Sequence, residues 1–340
     1  MIYVHVPFCR SFCTYCDFYS ETVCAEKENS AIGAYLSGLK EEIDSRRREI
    51  ALCGGTDTIY FGGGTPSVLP LDAIREIVSS LGPVPALSRE FTVEVNPDDI
   101  VQKGEEYVRG LLSLGVNRVS MGVQSLSDDI LRWMNRRHNA RCAVEAFSLL
   151  RRCGVKNISV DVIFGVSQMT DETLASTLKE LIEMRPEHIS AYQLSIEEGS
   201  ALAPMVKSGL YTEAGEEQCR RQYELVCSML SAASYEHYEI SNWALPGRRA
   251  IHNSAYWKRV PYVGLGPGAH SLIGHRRSWN SESLNRWTSD GEDLTPGQER
   301  CEAIMLGLRT ADGIEGKKIA EKDWFIADTI ISDYLLSLNI

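Results

Sequence analysis

The residues in this chain best suited to chemistry are three cysteines, Cys9, Cys13 and Cys16, spaced C-x3-C-x2-C. Three thiolates on one short loop can wrap an iron–sulfur cubane, and because a cubane has four irons, one is left open to take and activate a small ligand. Phe8, Phe12, Tyr15 and Phe18 interleave with the cysteines and are expected to screen such a cluster from water. Two other readings remain. The three can be unlinked thiols, or a zinc site completed by His5, although structural zinc favours paired C-x2-C knuckles. Cys24, Cys53, Cys142, Cys153, Cys219, Cys227 and Cys301 show no ligand spacing and read as buried thiols.

A second set of groups is polar. Gly62, Gly63 and Gly64 precede Thr65 and Pro66. Lacking side chains, they permit close backbone approach and offer N–H groups to the amino-acid end of a ligand, while a glycine run taken alone also reads as a turn. Glu94 can accept from a cationic amino group or a ribose hydroxyl, Gln124 can donate and accept, and Asp161 suits a diol. Arg136 is permanently charged and can pair with a carboxylate. The bland alternatives are interior polar residues satisfying one another and, for Arg136 beside Arg137, a helix-surface arginine. His5 and His270, the latter in GLGPGAH, are further candidates.

These groups need elements to bring them together. Strands are predicted at Ile2–Phe8, Asp57–Gly62, Glu90–Asn96, Arg118–Ser125, Asn157–Gly165 and His188–Ser195. Between them lie amphipathic stretches, Ala31–Ala51, Leu71–Leu81, Glu105–Leu114, Ala140–Cys153 and Asp171–Met184, each long enough for a right-handed crossover. The fold class is therefore α/β, a partial (β/α)6 TIM-like barrel. Alternate strand residues face opposite sides, which sets Glu94 and Asn96 against Val93 and Val95. Likewise Ser120, Gly122 and Gln124 oppose Val119, Met121 and Val123, and Ser159 and Asp161 oppose Val160 and Val162. The aliphatic faces belong under the helices. The polar faces then point into the barrel, where a filled barrel carries branched apolar residues, so the interior is expected to hold a polar ligand. Residues 1–199 are expected to form this barrel and 200–340 an α+β region covering one end, with helices near Glu216–Ala233, Gly297–Arg309 and Gly316–Asn339 and extended chain at Tyr235–Asn242.

Composition narrows the function classes. The 340 residues carry a net charge of −11, which gives the surface no general attraction for nucleic acid. Hydrophobic residues at 44% exclude wholesale disorder. No apolar run is long enough to span a bilayer, and the N-terminus lacks the order of a secretory signal, so a cytoplasmic protein with free thiols is expected.

With a tyrosine before its last cysteine and a place at the end of the first strand, the cysteine motif strongly resembles that of the radical S-adenosylmethionine (SAM) superfamily. In order, YVHVPFC, FGGGTPS, EVNP, GVQS and DVIFG resemble the HemN/HemW group, which includes the oxygen-independent coproporphyrinogen III dehydrogenase. The resemblance runs from Tyr3 to at least His270. It implies a [4Fe-4S] cluster on Cys9, Cys13 and Cys16, chelation of the open iron by SAM, and reductive cleavage of SAM to a 5′-deoxyadenosyl radical. It also implies a SAM pocket of Tyr3, Tyr15, Gly63, Gly64, Thr65, Glu94, Gln124, Arg136 and Asp161.

Two departures shift the resemblance within the group. The dehydrogenase resembles C-x3-C-x2-C-x-C, whereas Phe18 holds the last position here, and its N-terminal extension is not expected where strand one begins at residue two. Both fit the haem-chaperone branch, whose cluster loop similarly ends in Cys-Asp-Phe. His252-Asn253-Ser254-Ala255-Tyr256-Trp257 matches the H-N-x-x-Y-W motif associated with haem in that branch. Imidazole is a sound axial ligand for haem iron, and Tyr256 and Trp257 can stack on the macrocycle; a histidine packed among aromatics is the plainer reading. Arg276 and Arg277 read as propionate partners or as a solvated turn. The chain also ends soon after its last helix, where the family continues into a small winged region. The resemblance thus implies a chaperone that binds haem, a [4Fe-4S] cluster and SAM and delivers haem to respiratory haemoproteins. A homodimer is expected, with peripheral membrane association during delivery. Radical decarboxylation of coproporphyrinogen III to protoporphyrinogen IX is the alternative, and a zinc-stabilised binding barrel the third.

Overall fold

The computed structural model describes residues 1–22, 25–53, 58–84, 88–284 and 286–338. Asp57, where the second strand was expected to start, Cys24 and Asn339 lie outside them. Strands β1 (Ile2–Val6), β2 (Thr58–Gly63), β3 (Glu90–Val95), β4 (Arg118–Gln124), β5 (Ile158–Phe164) and β6 (His188–Gln193) stand side by side in chain order, every neighbouring pair parallel. Each lies within two residues of its predicted bounds. Helices α1 (Ala25–Ser45), α2 (Leu71–Ser80), α3 (Pro97–Ser113), α4 (Ala140–Arg152) and α5 (Asp171–Met184) provide the crossovers.

The alternation places the core as predicted. Val93, Val119, Met121, Val123, Val160 and Val162 are all 1% exposed or less. Each such side chain, removed from water beneath the helices, stabilises the sheet by about 2 kcal/mol.

Two helices differ from expectation. The stretch Ala31–Ala51 is divided: α1 stops at Ser45 and a short helix follows at Arg47–Cys53. Arg46, at the break, donates to Gly264 O (2.8 Å) and Ser271 Oγ (3.0 Å) and so ties this corner to the C-terminal part of the chain. Helix α3 begins at Pro97, eight residues before the predicted start, with proline in the first turn and Asp98 and Asp99 against the helix N-terminus. It breaks at Gly104 (φ +69°), which hides its first half from a periodicity search.

Residues beyond 200 extend the same sheet at both edges. After α6 (Glu216–Ala232), the stretch Tyr235–Asn242 is two short strands, β7 (Glu236–Glu239) and β8 (Asn242–Ala244), of which β8 pairs antiparallel with β6. Helix α7 (Ile251–Trp257) follows, and β9 (Val263–Leu265) lies parallel to β1, giving nine strands. Both draw on a Gly- and aromatic-rich stretch, HNSAYWKRVPYVGLGPGAHSLIG (residues 252–274), and are too short to show periodicity. A separate antiparallel sheet holds β10 (His270–Ile273), β11 (Arg276–Asn280) and β12 (Ser289–Asp293). The chain continues through α8 (Pro296–Gly307), opened by a Thr295–Gln298 capping box, and α9 (Ala327–Ser337). The helix predicted from Gly316 is shorter than expected: a turn with Gly316 at φ +77° and a 3-10 turn at Glu321–Ile326 precede α9.

Candidate functional site

The polar faces of β3, β4 and β5 and the cysteine loop enclose one cavity of about 780 Å³, and the thirteen residues expected to hold the cluster, SAM and haem, Tyr3 through His252, all line it. The cysteine loop is fixed to the segment after β4. Thr14 N donates to Met134 O (3.1 Å), Thr14 Oγ1 to Trp133 O (2.8 Å) and Asn135 Nδ2 to Phe12 O (2.7 Å). Thr65 Oγ1 lies 3.4 Å from Cys9 Sγ, and Arg136 Nη1 donates to Cys13 Sγ at 3.3 Å. Burial pushes the Cys9 thiol up and Cys16 to about 11, with the neighbouring sulfurs adding to both. Holding three sulfurs together as thiolates requires cations among them.

Among the described residues no three His, Cys, Asp or Glu side chains converge to hold a single ion, as zinc would need. His5 is engaged elsewhere: Nε2 donates to Tyr19 O (2.8 Å) and Nδ1 takes the Tyr3 hydroxyl (3.2 Å). A cubane instead sets each thiolate on a different iron, so three sulfurs sharing a loop without meeting at one point fit it. The aromatic screen is only partly as expected. Phe8 packs beneath the loop at 2% exposure, but Phe12 and Phe18 are 51% and 70% exposed and face solvent.

The glycine run packs tightly against β1. A Cβ on Gly63 (φ +107°) would sit 2.5 Å from the His5 ring, and one on Gly64 2.8 Å from Phe8 O. Its N–H groups are not free, as the sequence had suggested. Gly63 N donates to Glu94 Oε2 (3.2 Å), Gly64 N to Val6 O (2.9 Å) and Thr65 N to Phe8 O (2.7 Å). What the run can offer a ligand is carbonyl oxygen, which suits an ammonium group.

Glu94 also accepts from the Tyr60 hydroxyl (2.7 Å), and burial, with Asp161 nearby, pushes its carboxyl up to about 7. Burial pushes Asp161 to about 6. Gln124 ends β4 at φ +65°, where the register with β5 shifts, a left-handed conformation that holds strain at the cavity wall. Arg136 is no surface arginine. Nη2 donates to Asn96 Oδ1 (2.6 Å) and Gly122 O (2.7 Å), and Nε is sealed without a partner. The helix-facing arginine is its neighbour Arg137, paired with Asp98 and Asp99.

Helix α7 closes the other end of the cavity. Glu90, first in β3, accepts from the backbone N–H groups of Ile251 (2.9 Å) and His252 (2.8 Å). His252 Nδ1 lies 2.8 Å from Thr58 Oγ1 and Nε2 lies 3.0 Å from the Tyr256 hydroxyl. Burial pushes this imidazole down to about 3, so it stays neutral. An iron at either nitrogen would displace Thr58 or Tyr256. At the start of β6, His188 bridges Ser159 Oγ and the Tyr238 hydroxyl, both at 2.7 Å, and Arg118 opens β4. Sequence reasoning passed over Glu90 and Arg118, although both continue the polar faces of Glu94 and Gln124 at even spacing. Outside the cavity, Arg276 pairs with Asp293, Arg277 pairs with Glu292 and Glu302, and His270 is exposed at the start of β10.

Comparison with known proteins identifies the family. The Radical SAM superfamily model matches residues 3–181. The heme chaperone HemW of Bacillus subtilis is 32% identical over 335 residues, covering 94% of this chain and 86% of that protein. HemW of Escherichia coli is 31% identical over 280 residues, covering 80% and 70%. The structure of E. coli coproporphyrinogen III oxidase, HemN, described as a radical SAM enzyme, superposes with a TM-score of 0.75 at 22% identity, covering 91% of this chain and 75% of that one.

Proposed function

The chain belongs to the radical SAM superfamily and, within it, to the HemW group, and on that footing we propose that it is a haem chaperone carrying a [4Fe-4S] cluster and SAM. The observation that carries the reading is the continuity of one cavity from Cys9, Cys13 and Cys16 to His252, Asn253 and Tyr256 of the H-N-x-x-Y-W helix. Cys9, Cys13 and Cys16 hold the cluster, which when bound supplies an open iron and an electron. Arg136, beside Cys13, takes the carboxylate of SAM. The glycine carbonyls and Glu94 face its ammonium, Gln124 and Asp161 its ribose, and Tyr3, Tyr15 and Thr65 complete the wall. In this reading residues 1–199 supply the cluster and SAM and residues 200–340 supply the haem helix.

Haem is held at α7, with His252 contributing after exchange of its Thr58 or Tyr256 contact, and is passed to respiratory haemoproteins. No helix among the described residues is long and apolar enough to cross a membrane. The protein acts in the cytoplasm, as a homodimer that meets membrane-bound recipients peripherally.

The test is made after anaerobic iron–sulfur reconstitution, measuring haem uptake by absorbance and coproporphyrinogen turnover with SAM and a reductant. The expected result is a haem spectrum that weakens in His252→Ala, with no decarboxylated product. Steady decarboxylation would overturn the chaperone reading. Tightly held zinc with no sulfide would overturn the cluster itself.

A further inference from the structure

The inner end of the cavity holds a cation that no hydrogen bond or ion pair among the described residues takes up. Arg118 is 1% exposed and lines the cavity, yet its guanidinium forms no hydrogen bond or ion pair with any described residue, and its Nε is sealed from water. The carboxylates that could serve it are engaged elsewhere. Glu90 caps α7 through both oxygens, and Glu94 is taken by Tyr60 and Gly63. Asp161 forms no ion pair with Arg118, which acts on Asp161 and Glu94 only as a nearby charge. Both nitrogens of His188, the nearby imidazole, are committed to Ser159 and Tyr238. A permanently charged fork taken out of water with its donors unmatched is destabilising, because nearby charge without hydrogen bonds does not repay its lost hydration.

We propose that Arg118 receives a carboxylate of the molecule that fills the barrel beyond SAM, which in the chaperone reading, on which the ligand's identity rests, is a propionate of haem. Position separates this anion from the carboxylate of SAM. Arg118 opens β4 and Gln124 ends it, six residues and about 20 Å further along the strand. Arg136 and the glycine run sit at the Gln124 end, beside the cysteines. SAM has a single carboxylate, and Arg136 meets it there. The anion at Arg118 therefore belongs to a second ligand. Charge narrows its class: with Glu94 and Asp161 close by, one negative charge is accommodated better than the two of a phosphate. A planar guanidinium also matches the two oxygens of a carboxylate.

The experiment titrates haem and haem dimethyl ester, the same macrocycle without carboxylates, into cluster-loaded protein and its Arg118→Met variant. Unfolding midpoints of both proteins are measured without tetrapyrrole. The wild type is expected to prefer haem over the ester at least tenfold, and the variant to bind both alike with the ester affinity of the wild type. The variant is expected to unfold no lower than the wild type, because methionine fills the space without an unpaired charge. Equal affinity of the wild type for haem and ester overturns the proposal and leaves the chaperone reading standing. A variant that unfolds several degrees lower also overturns it, by marking Arg118 as a counter-charge for the barrel. If neither tetrapyrrole binds, the chaperone reading fails and acetate decides. A midpoint that rises with acetate over chloride at equal ionic strength in the wild type alone supports a carboxylate site, and an equal rise in both proteins overturns it.

Discussion

Replacing Gly64 with alanine tests whether the glycine run positions the cysteine loop. The added Cβ would lie 2.8 Å from Phe8 O, 2.9 Å from Val6 O and 3.0 Å from Phe8 N, all backbone atoms that no side-chain rotation can clear. Val6 O and Phe8 O accept from Gly64 N and Thr65 N, so relief means lengthening two hydrogen bonds or moving the segment that carries Cys9. Overpacking of this kind costs about 1–3 kcal/mol, and a weakened hydrogen bond adds about 1 kcal/mol, giving about 2–4 kcal/mol in all. The assay is urea unfolding of the cluster-free protein, with iron and sulfide measured after anaerobic reconstitution. Gly64→Ala is expected to show that loss and to hold less than half the iron of the wild type. Gly33→Ala is the control. Gly33 is exposed on α1, a Cβ there would meet nothing within 4 Å, and the change should stabilise by up to about 1 kcal/mol. If Gly64→Ala unfolds within 0.5 kcal/mol of the wild type and loads iron normally, the close approach of β2 to the cysteine loop does not govern the site.

Arg136→Met removes the donors to Cys13, Asn96 and Gly122 together with the cation meant for the ligand's carboxylate. SAM affinity of the loaded protein, measured by calorimetry, should fall by about 2–4 kcal/mol, about thirtyfold or more, and an unchanged Kd refutes the assignment. Glu94 should make ligand-free stability depend on pH. Its carboxyl is raised from 4.5 to about 7, so between those values the folded chain binds more protons than the unfolded one and stability falls as pH rises. The Glu94 share of the loss reaches at most about 3 kcal/mol by pH 8 and should be missing from Glu94→Gln in thermal unfolding from pH 5 to 8, while the shares of Asp161 and Glu239, raised to about 6 and about 7, remain.

What the sequence made legible follows from the period of each element. The six parallel strands carry an aliphatic face opposite a polar one, and that contrast of period two located β3, β4 and β5 and sent Glu94, Gln124 and Asp161 to one cavity. Short or broken elements carry no such signal. The seven residues of α7 and three of β9 are held by tertiary contacts, Glu90 under the first N–H groups of α7 and the β1 edge beside β9. The state of the glycine N–H groups was equally hidden, because it depends on Val6 and Phe8 being drawn alongside. Arg118 stood one alternation from residues already assigned to the interior. What no spacing could reveal is that it would be left unpaired there.

The distribution of polar groups along the barrel decides between a binding fold and a filled one. A barrel that only had to fold would carry branched apolar side chains inside, as the outer faces of β3, β4 and β5 do here. Instead the interior holds Glu94 and Asp161 pushed toward protonation by burial, Arg118 without an acceptor and Arg136 with a sealed Nε. Burying these polar groups carries a desolvation cost in the empty chain, which a ligand of opposite charge would offset. Binding and stability are therefore linked, because a ligand held only by the folded state adds about RT ln(1 + [L]/Kd) to its stability, about 2.7 kcal/mol at a hundredfold excess over Kd. The cations lie at the two ends of β4, Arg136 with the cysteines and Arg118 with α7. One ligand at the cluster end would satisfy only the first of them, which is the ground for proposing a second.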